Sequence, residues 1–151
     1  MDTVALANFF AGPDVEPGPL IAWRVDRTVS GILGVPVGTP VRMSYPTFSK
    51  ITVVHREIGF EDFAHLPVSI GAPFSFVSRG RKLSAEITIA DRKRPLRIIL
   101  RKARDGNVYI VSIYRLDWSE VRRRFRRETN EGRVVRGPET KLARQLMPRQ
   151  S

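Results

Sequence analysis

The side chains of this chain best suited to chemistry fall in a predicted hairpin and a predicted helix. Asp105-Gly106-Asn107 is the strongest turn signal, and a two-residue loop there puts Arg101, Ser112 and Tyr114 on one face. That face groups a guanidinium, a hydroxyl and a phenol, all of which can donate hydrogen bonds to an anion. His55 lies on the predicted helix, and histidine is the side chain that gains or loses a proton near neutral pH.

The length of the hairpin loop decides which residues share a face, because side chains alternate along a strand. With two loop residues, the predicted core face holds Ile98, Leu100 and Lys102 opposite Tyr109, Val111 and Ile113. The other face then holds Arg97, Ile99 and Arg101 opposite Val108, Ile110, Ser112 and Tyr114. A three-residue loop would flip one strand and dissolve this second grouping.

The elements that must position these residues are predicted from apolar spacing. A helix over about 46–58 is indicated by Phe48, Ile51, Val54 and Ile58, with His55 on the same apolar face. Ser44 is its predicted N-cap, and Gly59 its stop. A short helix over 61–70, strands over 74–78, 84–90, 96–104 and 108–116, and a helix over 117–128 follow.

These elements predict an α+β fold in which N-terminal helices pack on a four-stranded antiparallel β-meander. A C-terminal helix and a mobile basic tail complete the prediction. The chain is divided into an N-terminal segment and linker (1–19), one α+β nucleic-acid-interacting domain (20–128) and the flexible tail (129–151). Short strands or an irregular helix remain open for residues 20–41.

Positive charge is concentrated in the last two thirds of the chain. The net charge is +11, and residues 1–50 contribute nothing to it, with 4 Lys/Arg against 4 Asp/Glu. A cationic sheet predicts a polyanionic partner, RNA or another nucleic acid. The predicted binding residues are Arg79, Arg81, Lys82, Arg92, Lys93, Arg94, Arg97, Arg122 and Arg126.

Composition also limits the classes of site. The chain has no cysteine and 2 histidines, so thiolate chemistry is excluded and neither a metal nor another cofactor is expected. The apolar run 4–10 is short and lacks a basic start, so it is not predicted to be a signal peptide. No membrane contact and a cytoplasmic location are the corresponding expectations.

Several short patterns resemble the barnase, EndoU, colicin-nuclease and RelE group of small endoribonucleases, and its phage-associated branch above all. The likeness covers about residues 41–127. It rests on Ser44-Tyr45-Pro46-Thr47 before a helix that carries Lys50 and His55, on Leu66-Pro67, on Arg101 in its strand and on Ser112 in Val111-Ser112-Ile113. The resemblance implies metal-independent RNA cleavage by a toxin or phage effector, with Lys50, His55, Arg101, Ser112 and Tyr114 as matched positions.

In such a nuclease His55 would carry the proton, and Lys50 and Arg101 would stabilise charge on the reacting phosphate. Ser112 would orient the phosphate or His55, and Tyr114 would stack on a base or donate to an oxygen. An acidic antidote protein covering the basic face is left open as a further partner.

Other interpretations of the same residues stay open. His55 could be a hydrogen-bonded core histidine, Lys50 a solvated helix edge, and Ser112 and Tyr114 ordinary strand positions. The arginines between 122 and 127 could form one solvated helix face. A non-catalytic nucleic-acid-binding protein that uses the same surface is the main alternative, and a basic interaction protein of a virion or chromosome is a third.

Overall fold

The structure, a computed structural model, describes residues 1–71, 73–80, 83–90 and 94–137. Its helices are α1 (Thr3–Ala11), α2 (Arg27–Leu33), α3 (Tyr45–Val54), α4 (Phe60–Ala64), α5 (Leu66–Ser69) and α6 (Trp118–Asn130). Its strands are β1 (Leu20–Arg24), β2 (Pro40–Met43), β3 (Pro73–Arg79), β4 (Ser84–Ile89), β5 (Leu96–Lys102), β6 (Val108–Arg115) and β7 (Val134–Arg136). The predicted α+β class is confirmed.

The strands form one mixed sheet in the order β1-β2-β6-β5-β4-β3-β7. Consecutive strands from β3 to β6 pair antiparallel, whereas β2 lies parallel to β6 through Val41↔Val108 and Arg42↔Tyr109. The prediction of a four-stranded sheet is therefore wrong in size. The difference arises because the Gly- and Pro-interrupted region 20–43 supplies two short strands, and residues 134–136 pair with β3.

Helices cover both faces of the sheet. α1 to α5 pack on one face, which we call the core face, around Phe9, Leu33, Ile51 and Phe63. The opposite face, which we call the α6 face, is partly covered by α6, and Val121 forms a small second apolar cluster there. The core face of the sheet is thus buried, whereas the α6 face is only partly covered by a helix.

α3 ends earlier than its apolar spacing predicts. Ser44 caps it as expected, with its Oγ accepting a hydrogen bond from the backbone N–H of Thr47 at 3.3 Å. The helix stops at Val54, and His55 leaves the helical conformation with φ −116° and ψ 72°. Gly59 caps the start of α4 instead of ending α3. His55 consequently lies beyond the apolar face on which the sequence placed it.

Neither end of the described chain is detached from the core. Leu6 and Phe9 of α1 are buried in the main apolar cluster, although 1–19 were expected to be a segment and linker. At the other end, the predicted boundary at 128/129 falls inside α6, and β7 follows it. Residues 138–151 of the predicted tail lie outside the described residues.

Candidate functional site

The β5–β6 hairpin differs from its prediction in two ways that offset each other. Its loop has three residues, 104–106, because the N–H of Ala103 donates to the carbonyl of Asn107 at 2.8 Å. Gly106 takes a φ of +85°, a left-handed conformation that glycine adopts without a steric penalty. Val111 is then an extra residue, since Leu100 pairs with Ile110 but Ile99 with Ser112. This β-bulge restores the predicted alternation beyond it.

The bulge therefore keeps part of the predicted grouping and overturns the rest. Arg97↔Tyr114 and Ile99↔Ser112 are cross-strand pairs, so Ser112 and Tyr114 do share a face with Arg101. Before the bulge, however, Tyr109 pairs with Arg101 and shares that face. The residues placed on the wrong face by the two-residue loop are Val108, Ile110, Tyr109 and Val111.

Three adjoining depressions on the α6 face meet at Val111. One, of about 540 Å³, has Ser84, Ile99 and Arg101 in its lining, and a second, of about 230 Å³, is lined in part by Thr47, Arg101 and Tyr109. The third is a cleft of about 30 Å³ between α3 and β6. Val111 lies in the lining of all three depressions, which we call together the β5–β6 groove. The cleft is lined by Lys50, Ile51, Val54, His55, Val111 and Ser112.

α3 reaches the groove because β2 is short. β2 pairs with β6 only at Val108 and Tyr109. After one intervening residue α3 begins, and it packs beside the rest of β6. Lys50 and His55 thereby line the same cleft as Ser112, from opposite walls. Four of the five predicted catalytic residues, including Arg101 in the adjoining depressions, therefore line one groove.

The fifth, Tyr114, reaches the site through His55. Their rings stack with centroids 5.6 Å apart and planes inclined by 30°. The Tyr114 hydroxyl accepts a hydrogen bond of 2.7 Å from Nη1 of Arg124, which leaves the phenol's own proton available for donation. The side chain of His55 is 29% exposed, and its Nδ1 lies 3.8 Å from Oε1 of Glu57. His55 is therefore not a buried core residue in the structure.

A row of polar side chains crosses the α6 face beside the cleft. Arg42 of β2 pairs with Tyr109, Tyr109 with Arg101, and Arg101 with Ser84 of β4. Arg42 was not selected from the sequence, because its strand is only four residues long and the flanking glycines and prolines obscure it. Among the described residues, no hydrogen-bond partner is found for its buried Nε.

Arg97 is corrected from a nucleic-acid-binding residue to a buried structural one. It is 2% exposed, and its guanidinium donates to Glu86 at 2.8 Å, to Glu128 of α6 at 2.7 Å and to Thr88 at 2.8 Å. Arg79 also bonds both glutamates. This buried ion cluster docks α6 on the sheet. It could not be predicted from the sequence, because Glu128 looks like one more exposed charge on an Arg-rich helix.

Charge pairing within the cluster alters its acid–base behaviour. Burial of Glu86 raises its pKa, but the charge of Arg97 and the hydrogen bonds from Arg79 and Arg97 outweigh it, so the pKa lies below its ordinary value. Burial lowers the pKa of Arg79, and the hydrogen bond and charge of Glu86 more than offset this, so that pKa is raised. Both groups are therefore held in their charged forms.

The remaining predicted binding residues are scattered. Arg94 and Arg126 are exposed, on the loop before β5 and on α6, and Nε of Arg122 donates to the carbonyl of Trp118 at 3.4 Å. Arg81, Lys82, Arg92 and Lys93 lie outside the described residues. None of the three described residues lines the β5–β6 groove.

The described ranges contain neither a cluster of metal-binding side chains nor a membrane-spanning helix. No three His, Cys, Asp or Glu side chains come together there in a way that could hold a metal ion. No helix in those ranges has the length and apolar character required to cross a bilayer.

Comparison with known proteins gives no match. No family model matches the sequence, and no curated protein or solved structure is significantly similar to it.

Proposed function

We propose that this protein is an endoribonuclease that cleaves RNA in the β5–β6 groove without a metal ion. The observation that carries the proposal is the cleft shared by Lys50, His55 and Ser112, which puts a cation, a proton carrier and a hydroxyl around one space. Arg101 supplies a second cation from the adjoining wall. These are the groups that metal-free phosphodiester cleavage uses.

The proposed reaction is an internal transfer at phosphorus. The 2′-oxygen of a ribose attacks the neighbouring phosphorus while the bond from phosphorus to the 5′-oxygen breaks. A base takes the 2′-hydroxyl proton and an acid delivers a proton to the departing 5′-oxygen, so the products are a 2′,3′-cyclic phosphate and a 5′-hydroxyl. DNA lacks the attacking hydroxyl and is not cleaved.

His55 is the proposed proton carrier. Glu57 beside Nδ1 leaves Nε2 for the substrate, and stacking on Tyr114 restricts the ring's orientation. The Tyr114 hydroxyl, with Arg124 donating to its oxygen, is available as a donor to the substrate. Lys50 and Arg101 stabilise the charge that accumulates on the phosphate oxygens, and Ser112 orients the phosphate.

The test is incubation of total RNA with purified protein in the presence of a chelator, followed by a denaturing gel and analysis of the new ends. His55→Ala is the test variant. His65→Ala is the matched control, because His65 ends α4 and lies outside the groove. We expect cyclic-phosphate ends from the parent and from His65→Ala only. Equal cleavage by all three proteins would contradict the mechanism.

The groove supports a second function, binding of nucleic acid without cleavage. The observation that favours it is the cross-strand row in which Tyr109 lies between Arg42 and Arg101, because bases stack on tyrosine while arginines contact phosphates. Salt-sensitive binding with no new RNA ends, from both the parent and His55→Ala, would identify this function.

A further inference from the structure

A second cleft, which we call the α2–β7 cleft, lies at the other edge of the sheet, between α2 and the β3–β7 pair. Its volume is about 530 Å³, within the range of small-molecule sites. Ser78 pairs with Ala85 on the core face, so this cleft opens on the side of the sheet opposite to the β5–β6 groove. The lining residues are Arg27, Thr28, Gly31, Ile32, Ser78, Val135 and Arg136.

The polar groups of this cleft match an anion. Two guanidiniums and two hydroxyls line it, and no carboxylate does among the described residues. Asp26, which precedes Arg27, is engaged as the cap of α2 and accepts from the N–H of Val29 at 2.9 Å. Ile32 and Val135 add an apolar floor. Such a lining suits a ligand with a phosphate at one end and an apolar ring at the other.

Arg136 is already held in place. Its Nη1 donates to the Thr28 hydroxyl at 3.3 Å, and its guanidinium lies 5.9 Å from the centre of the Phe76 ring. These contacts join β7 to α2 and to β3, on two walls of the cleft. A preorganised guanidinium loses less conformational entropy when an anion arrives, which favours binding.

We propose that the α2–β7 cleft binds a nucleotide-sized molecule that carries a phosphate, with Arg27 and Arg136 holding the phosphate and Ile32 and Val135 contacting the base. The rest of this chain is a poor occupant. Residues 138–151 follow β7 but contain three Lys/Arg against one Glu, so they carry the same sign of charge as the cleft. The site does not depend on the proposed nuclease activity.

The test uses NMR of the isotopically labelled full chain with AMP, adenosine and inorganic phosphate as probes. We expect AMP to shift the backbone amides of Thr28, Gly31, Ser78 and Val135 in a saturable way, inorganic phosphate to compete with it, and adenosine to have little effect. Site-resolved shifts separate this cleft from the β5–β6 groove, whose reporters are Val111 and Ser112.

Gly31→Phe is the blocking variant, because Gly31 lines the cleft and a Cβ there meets no atom within 4 Å, so the added ring is expected to occupy the cleft. We expect it to abolish the shifts, and Arg27→Gln to weaken AMP binding about tenfold. Arg104→Gln, in the hairpin loop, is the control and should bind as the parent does. The proposal is overturned if AMP shifts only the groove amides, if adenosine binds equally well, or if the folded Gly31→Phe variant retains binding.

Discussion

The imidazole of His55 stacks on the ring of Tyr114 at a centroid separation of 5.6 Å, and Arg124 of α6 donates to the hydroxyl of that tyrosine. The contact links three parts of the chain: the end of α3, strand β6 and helix α6. The proton carrier of the proposed site is therefore oriented by the hairpin, and the hairpin residue is in turn held by α6. Substitutions at Tyr114 can separate orientation from hydrogen bonding.

Tyr114→Phe keeps the stacked ring and removes only the hydroxyl. If that hydroxyl donates to the reacting phosphate, the cleavage rate should fall about tenfold or more, since a hydrogen bond to a charged group is worth about 1.5–3 kcal/mol. The measurement is the initial rate with a defined RNA, and Tyr109→Phe serves as the matched control in the same groove. An unchanged rate would show that the Tyr114 hydroxyl does not act on the phosphate and that the residue only orients His55.

Arg101→Gln should reduce the salt dependence of RNA binding. Each phosphate contact releases condensed counterions, so the slope of log K against log salt should become shallower by about one. Titrations at several salt concentrations measure it. Arg123→Gln is the control, because Arg123 is exposed on α6 and paired with Glu120. Equal slopes for the parent and Arg101→Gln would show that Arg101 does not contact an RNA phosphate.

Glu128→Gln should strongly destabilise the fold. It leaves the charge of Arg97 buried with one carboxylate fewer, and breaking a buried ion pair costs about 3–5 kcal/mol. Urea unfolding gives the change in free energy. The control is Glu131→Gln, which removes an exposed pair with Arg133 and should cost less than about 1 kcal/mol. Similar losses for both variants would argue against the docking role of the cluster.

Acid should weaken the fold through Glu86. Because its pKa is lowered in the folded protein, the unfolded chain takes up the proton first, and the stabilisation is complete above the ordinary value of 4.5. It is lost as the pH falls from there through the lower folded value. Unfolding free energies measured between pH 7 and pH 3 should therefore decline more steeply for the parent than for Glu86→Gln. Parallel curves would show that Glu86 is not responsible.

The sequence predicts the local elements from β3 to α6 well, but it misses α1, leaves the region of α2 open and fails where long-range pairing decides. β3 to β6 and α6 lie close to their predicted positions because apolar spacing and turn residues specify them locally. The pairing of β2 with β6 joins residues more than sixty positions apart, and no local pattern reports it. Arg42 entered the candidate site only through that pairing.

The site residues were predicted unevenly for similar reasons. Ser112 and Tyr114 share a face with Arg101 only because the bulge at Val111 compensates for a loop one residue longer than predicted. Arg97, which alternation put on the same face, became buried when α6 covered that half of the sheet. Alternation gives the face of a strand residue but cannot tell which part of that face a helix will cover.

The parallel contact of β2 with β6 also has a consequence for biosynthesis. A nascent chain that has emerged only as far as β5 contains Lys50, His55 and Arg101, but it lacks the strand that brings α3 and the sheet together. Non-local pairing of this kind forms after the local elements. The groove can therefore form only after β6 has left the ribosome, and the proposed cleavage of RNA cannot begin before that point.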